Sequence, residues 1–189
     1  MKQITYIFSG GRKSKLEESL IESEEFYYGV PYLINNKNKV NIVEFGSSRN
    51  SLLKIFDKVM TRIFNLPFST SKIVSLENLK QIYNSENIIL VNENTAFSTL
   101  PLIILVRIFK KINVSIFVMG LYSKKLRFPY LAPVHRLFIK ILIFFIDNVF
   151  FLGKGELAVA KNLHSNHSKF IYFPFSIDDK FWCSSKIDL

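Results

Sequence analysis

Short apolar runs recur along the chain and alternate with longer segments in which apolar residues return every three or four positions. The runs cover 2–8, 40–45, 87–91, 114–119, 148–152 and 169–173, with a shorter candidate at 72–74. Such runs, bounded by Gly, Asn and Pro, are typical of strands covered on both faces, because a strand with one solvated face would alternate apolar and polar residues. They predict a parallel sheet.

The segments between the runs have the periodicity of helices. Residues 51–64 carry a helical stripe of apolar side chains, and further helices are predicted at 76–83, 96–111, 134–146 and 156–163. Asn94 or Thr95 is the predicted N-cap of the helix at 96–111. About six or seven strands alternating with helices predict an α/β fold, a Rossmann-like doubly wound and mostly parallel sheet with right-handed crossovers.

The composition is sufficient for one such domain. The chain has 189 residues, of which 49% are hydrophobic and 19 are Phe, so it can form a sizeable core. Its single cysteine, Cys183, excludes an internal disulfide and a cysteine-based zinc site. A reducing cytoplasm is therefore the expected setting.

The charge narrows the choice of partners. Lys and Arg outnumber Asp and Glu by 25 to 15, which gives a formal net charge of +10 and favours phosphates, nucleic acid or an anionic membrane surface. We do not expect nucleic acid, because the basic residues are scattered and no helix-turn-helix or RNP-like run occurs. The apolar stretches 100–120 and 137–152 both contain charges, each costing about 2.5 to 3.5 kcal/mol at a bilayer centre, so neither is expected to span a membrane.

A paired-glycine turn follows the first predicted strand. In open parallel sheets, ligands bind outside the carboxyl ends of the strands, and glycine lacks the Cβ that would keep a phosphate or sugar from backbone N–H groups. Gly10 and Gly11 are candidates for such contacts, with Arg12 and Lys13 beside them. Neither G-x-G-x-x-G nor a P-loop occurs here. A flexible turn with a solvated basic pair is the alternative interpretation.

Two further loops lie at the same predicted edge. The loop after 87–91 carries Asn92, Glu93 and Asn94, which could contact a ligand, although a helix cap is the favoured interpretation. The basic and aromatic loop after 114–119 could hold a phosphate or a lipid head group, or simply be solvated, and its candidate residues are Tyr122, Lys124 and Lys125. The three histidines lack the spacing of a familiar zinc site, and no metal is expected.

Two motifs near the end of the chain follow the glycine pair in a characteristic order. Residues 146–154 read I-D-N-V-F-F-L-G-K, and residues 174–178 read P-F-S-I-D, with Phe181 three positions further on. In this order and spacing they resemble the N-terminal, acceptor-side domain of GT-B fold glycosyltransferases, in particular the retaining bacterial polysaccharide and lipopolysaccharide sugar transferases. Phe175 and Ser176 stand where that family has Asn and Gly.

The resemblance implies an activity and a domain boundary. The family transfers a hexose from a nucleotide sugar to a glycan or lipid-linked acceptor and generally needs no metal or other cofactor. It implies a Rossmann-like domain over 1–182, a hinge at Pro174, Ser176 and Asp178, and a hinge or truncated tail at 183–189. The family's C-terminal domain, which binds most of the sugar nucleotide, is expected to be missing or encoded separately as a partner.

The resemblance also implies roles and a location. Gly10 and Gly11 would offer backbone N–H groups to the donor phosphates, with Arg12 and Lys13 adding positive charge. The net charge and the basic, aromatic loops suit a cytoplasmic protein in peripheral contact with the anionic inner face of the cell membrane. The alternative hypothesis is a non-catalytic Rossmann-like protein that binds anionic lipid or polysaccharide at the membrane surface.

Overall fold

A computed structural model describes residues 3–17, 27–48, 50–123, 126 and 128–174. In this part of the chain six strands form one sheet with the order β2-β1-β3-β4-β5-β6, and every neighbouring pair is parallel. The strand order reverses at β1, because β2 lies on one side of it and β3 on the other. The predicted Rossmann-like doubly wound fold is thereby confirmed. The strands are β1 (Gln3–Phe8), β2 (Lys39–Glu44), β3 (Asn87–Leu90), β4 (Asn113–Val118), β5 (Asn148–Phe151) and β6 (Phe170–Tyr172).

The helices follow the predicted periodicity closely. The helix predicted at 51–64 has those bounds, because Asn50 caps its start by accepting hydrogen bonds from the N–H groups of Leu52 and Leu53. Two short helices near the N-terminus have no counterpart in the prediction. The described helices are α1 (Arg12–Glu17), α2 (Val30–Asn35), α3 (Ser51–Phe64), α4 (Thr70–Ile73), α5 (Leu76–Asn84), α6 (Glu93–Phe109), α7 (Ala132–Phe144) and α8 (Lys154–Leu163), with a 3₁₀ turn at Pro129–Leu131.

Two local predictions are wrong. Residues 72–74 are not a strand: the chain there belongs to the helical turn α4, because the N–H groups of Thr70 and Ser71 donate to the carboxylate of Asp57 at 2.8 and 2.9 Å. The N-cap of α6 is Asn92 rather than Asn94 or Thr95. The Asn92 side chain accepts from the Thr95 N–H at 2.9 Å, and the Thr95 hydroxyl accepts from the Asn92 N–H. The helix therefore begins three residues earlier than predicted.

The sheet separates two hydrophobic clusters, because successive side chains of a strand point to opposite faces. Ile7 of β1 belongs to the larger cluster, to which all helices from α3 to α8 contribute, whereas Tyr6 and Phe8 belong to the smaller one. The described helix residues of the smaller cluster come from α1 and α2. The prediction that strands are covered on both faces thus holds best around β1.

None of the described helices combines the length and the apolar character that crossing a bilayer requires. The longest of these helices, α6, has 17 residues, and a transmembrane helix needs about 20. Arg107 near the end of α6 forms an ion pair with Asp147, which precedes β5. This ion pair therefore joins the end of α6 to the start of β5.

Candidate functional site

The candidate site lies at the carboxyl ends of β1, β3 and β4, where the strand order reverses and where ligands of open α/β sheets bind. Gly10 and Gly11 directly follow β1 and adopt φ angles of 147° and 74°. A Cβ at either position would meet no atom within 4 Å, so this turn needs glycine for its backbone conformation rather than for space.

The N–H groups after this turn already have an acceptor. The N–H groups of Arg12 and Lys13 donate to the Oε1 atom of Glu44, at 2.5 and 2.9 Å. Glu44 is the last residue of β2, which pairs with β1 in parallel register. An entering phosphate would therefore have to displace a carboxylate from these two donors.

An aromatic segment covers the same end of the sheet. The guanidinium of Arg12 lies 5.7 Å from the ring centre of Tyr27, within the range of a cation–π contact. Tyr28 places its ring 4.9 Å from that of Phe117 in β4 and donates its hydroxyl to the Met119 sulfur at 3.9 Å. These contacts bring the residues after β1 next to those after β4.

The phenol of Tyr28 lies near one positive and one negative side chain, Arg12 and Glu93. Burial raises its pKa, while the positive charge of Arg12 lowers it and the negative charge of Glu93 raises it. The hydroxyl therefore remains a hydrogen-bond donor throughout the neutral range. Tyr28 is a candidate contact residue that the sequence alone did not identify, because its position depends on the backbone carbonyl hydrogen bond from Tyr6 at 2.9 Å.

Each of the three candidate residues in the loop after β3 has a structural role. Asn92 caps α6, and the carbonyl of the Asn94 side chain accepts from the Ser98 hydroxyl at 3.3 Å. Glu93 is buried and its Oε1 atom accepts from the Met119 N–H at 2.5 Å, which ties the end of β3 to the end of β4. The favoured helix-cap interpretation is thus confirmed for this loop, with Asn92 as the cap.

The loop after β4 is held from its other side by Glu156 in the first turn of α8. This carboxylate accepts hydrogen bonds from the N–H groups of Gly120, at 2.9 Å, and Tyr122, at 3.0 Å. Met119 and Gly120 thus donate consecutive N–H groups to carboxylates from two different helices. The candidate residues Lys124 and Lys125 lie outside the described residues.

A tyrosine–histidine pair closes this loop against the last strands. The Tyr122 hydroxyl lies 2.8 Å from Nε2 of His164, and the His164 ring packs edge-on against Phe170 of β6. Burial, reinforced by the charge of Glu156, raises the pKa of Tyr122, so its hydroxyl stays protonated. Of the predicted hinge residues, Pro174 follows β6 and is exposed, while Ser176 and Asp178 lie outside the described residues.

We expect His164 to make folding stability depend on pH. Burial lowers the pKa of His164 below its ordinary value of 6.5, and the charges of Lys140, Lys169 and His167 act in the same direction. The unfolded chain therefore binds the proton more readily, and the contribution of the neutral ring is lost as the pH falls below 6.5. In denaturant titrations from about pH 7.5 to about pH 5, the stability advantage of wild type over His164→Gln should shrink toward acid. A difference that is independent of pH would contradict this.

The described edge therefore combines a glycine turn, an arginine, tyrosine hydroxyls and three carboxylates that accept backbone N–H groups. No cluster of three or more His, Cys, Asp or Glu side chains suited to a metal ion occurs among the described residues. Comparison with protein-family models gives no match. Comparison with curated proteins gives none either.

Proposed function

We propose that this chain is the acceptor-binding half of a glycosyltransferase that moves a hexose from a nucleotide sugar to a glycan or lipid-linked acceptor. The observation that supports this most directly is the convergence of the Gly10-Gly11 turn, Arg12, Tyr28 and Glu93 at the reversal point of the sheet. The order of the sequence motifs, which resembles the acceptor-side domain of GT-B enzymes, supports the same conclusion.

The polar groups of this edge favour a sugar over an isolated phosphate. Glu44, Glu93 and Glu156 place three carboxylates there, and each accepts backbone N–H groups. An ionised carboxylate has about four lone-pair sites. The half-buried Glu44 and Glu156 can therefore still accept from a sugar hydroxyl, whereas the buried Glu93 fixes the loop. The Tyr28 ring adds an apolar surface beside them. A bare phosphate would be repelled by these negatively charged carboxylates. The hydroxyl groups of a sugar substrate could instead donate hydrogen bonds to the carboxylates and accept one from the Tyr28 phenol.

Positive charge beside the turn suits the other substrate. Arg12 has a planar, permanently charged guanidinium that matches phosphate oxygens in pairs, and Lys13 follows it. Sugar transfer of this kind needs no enzyme nucleophile, because positioning of the substrates and stabilisation of the departing nucleotide phosphate supply most of the rate. We therefore propose that Arg12 faces the donor across the cleft, and that a separately encoded or continuing donor-binding half supplies the remaining nucleotide contacts.

Reconstitution tests this function. The chain is co-expressed with a candidate donor-binding half, and turnover of nucleotide sugar is measured for wild type, for Arg12→Ala and for the exposed control Lys80→Ala. Loss of a charge-assisted contact to phosphate should lower kcat/KM of Arg12→Ala by about tenfold to hundredfold. The control should match wild type, because Lys80 lies on α5 and outside the proposed site.

Two results would contradict the proposal. The first is a stable complex of the two halves with neither turnover nor nucleotide binding. The second is turnover that Arg12→Ala and Lys80→Ala reduce equally, because the effect would then reflect overall charge. Unfolding curves of both variants show whether a loss of activity reflects a loss of structure. Lys80→Ala should overlay wild type, and loss of the cation–π contact in Arg12→Ala should cost only about 1 kcal/mol.

A further inference from the structure

Helix α3 exposes an apolar stripe. Leu52 and Ile55 are 77% and 59% exposed, and the other members are exposed as well. Residues three and four apart lie on one side of a helix, so the spacing of these residues forms one continuous strip. The α3 stripe consists of Leu52, Ile55, Phe56, Val59 and Ile63.

The orientation of α3 is set by the side that packs on the protein. Asp57 and Met60 are the buried residues of this helix. The Asp57 carboxylate accepts from the N–H groups of Thr70 and Ser71, and the ring of Phe64 packs 5.9 Å from that of Phe138 in α7. The helix thus buries Asp57 and Met60 but leaves leucine and isoleucine exposed, whereas the apolar side chains of a surface helix usually face the core.

A second strip on α3 is basic. Lys54, Lys58 and Arg62 recur every four residues and are all exposed; they are called the basic row below. The sole acidic residue of α3 is Asp57, which is buried and bound to α4. The exposed surface of α3 is therefore apolar along one strip and positively charged along another.

We propose that α3 docks on an anionic membrane surface, with the α3 stripe in the boundary between head groups and acyl chains and the basic row at the lipid phosphates. A surface helix with an apolar face and Lys or Arg on its polar face binds membranes in this way, because burial of apolar area and attraction to anionic lipid act together. This inference does not depend on the proposed sugar transfer. Docking through α3 would keep the edge of the sheet that carries the candidate site at a constant distance from lipid-linked molecules in the same membrane.

Charge argues against a second copy of this chain as the occupant. A symmetric dimer through α3 would bring two basic rows together without an exposed acidic partner on that helix. Like charges across an interface weaken association, whereas anionic head groups neutralise them. The observed surface therefore fits lipid better than a self-complementary contact.

Vesicle flotation tests the docking surface. The whole chain is mixed with vesicles of phosphatidylcholine, with or without phosphatidylglycerol, and should float only with the anionic vesicles at low salt. Binding should weaken strongly at about 1 M salt, where the Debye length falls to about 3 Å. Reversing the basic row with Lys54→Glu/Lys58→Glu should lower partitioning by about tenfold or more, and Leu52→Ser/Ile55→Ser should lower it similarly.

Matched controls separate the surface from overall properties. Lys80→Glu/Lys111→Glu changes the net charge by the same amount on other exposed lysines, and Leu76→Ser/Ile108→Ser removes two exposed apolar residues of α5 and α6. Both should retain wild-type partitioning. All variants alter exposed side chains, so their thermal unfolding should overlay wild type.

The single cysteine permits a direct readout of insertion. In a Cys183→Ser background, an environment-sensitive dye on Ile55→Cys should shift its emission to the blue with anionic vesicles, whereas a dye on Ile108→Cys should not. The proposal is overturned if wild type does not bind anionic vesicles, or if the control pairs lose binding as much as the α3 pairs. It is also overturned if sedimentation shows a dimer that Leu52→Ser/Ile55→Ser converts to monomer, because a second copy would then cover the stripe.

Discussion

Replacing Phe97 by alanine is expected to lower the free energy of unfolding by about 3 to 5 kcal/mol, the range for deleting a fully buried aromatic side chain. Phe97 lies in α6, is fully buried, and has its ring centre 5.2 Å from that of Phe68 in the segment before α4. Phe68 in turn contacts Phe56 and Phe138. The deletion therefore leaves a cavity where α3, α6 and α7 share one aromatic contact.

Phe109 offers a control in the same helix. It is 71% exposed near the end of α6, so Phe109→Ala should change the free energy of unfolding by no more than about 0.5 kcal/mol. Urea denaturation followed by circular dichroism measures both variants. Equal losses for the two would mean that α6 does not pack on the sheet as described.

The second large effect is expected for Asp57→Ala. The Asp57 carboxylate is buried and accepts the N–H groups of Thr70 and Ser71 at 2.8 and 2.9 Å. Alanine leaves both donors without this acceptor, and we expect a loss of about 2 to 4 kcal/mol in the free energy of unfolding. Because the same contact orients α3, the variant should also bind anionic vesicles less well if the helix turns its stripe inward.

Asp57→Asn is the matched comparison. Its amide retains one acceptor oxygen, so one of the two hydrogen bonds can persist and the loss should be intermediate. Urea denaturation of the two variants gives the order. If the alanine variant is as stable as wild type, the contact between α3 and α4 does not hold the helix, and the inference about its orientation fails with it.

The strands were predictable from sequence because each is a local run of apolar residues between turn residues. All six lie within one residue of their predicted ends, and the helix at 51–64 has its predicted bounds. Its capping residue, Asn50, is adjacent in the chain and so visible without a fold. The helical turn α4 was predicted wrongly because its acceptor, Asp57, lies 13 positions upstream of Thr70.

The position of the candidate site at one edge of the sheet was predictable from sequence, but the side chains that bind its backbone N–H groups were not. The glycine turn after β1 and the polar loops after β3 and β4 do lie at one edge of the sheet, as the carboxyl ends of parallel strands must. The carboxylates that bind their N–H groups were not predictable. Glu44 is 32 positions from Arg12, and Glu156 is 36 positions from Gly120.

By itself, the sequence determined the strands and the longer helices, their order and hence the class of fold, because periodicity and turn chemistry act over a few neighbouring residues. It also showed that residues 51–64 carry apolar side chains at helical spacing. The tertiary structure alone decided that the stripe faces outward, because the burial of Asp57 against Thr70 and Ser71 sets the rotation of the helix. It likewise decided which carboxylates lie at the carboxyl ends of the strands, since those hydrogen bonds join residues that only the folded sheet brings together.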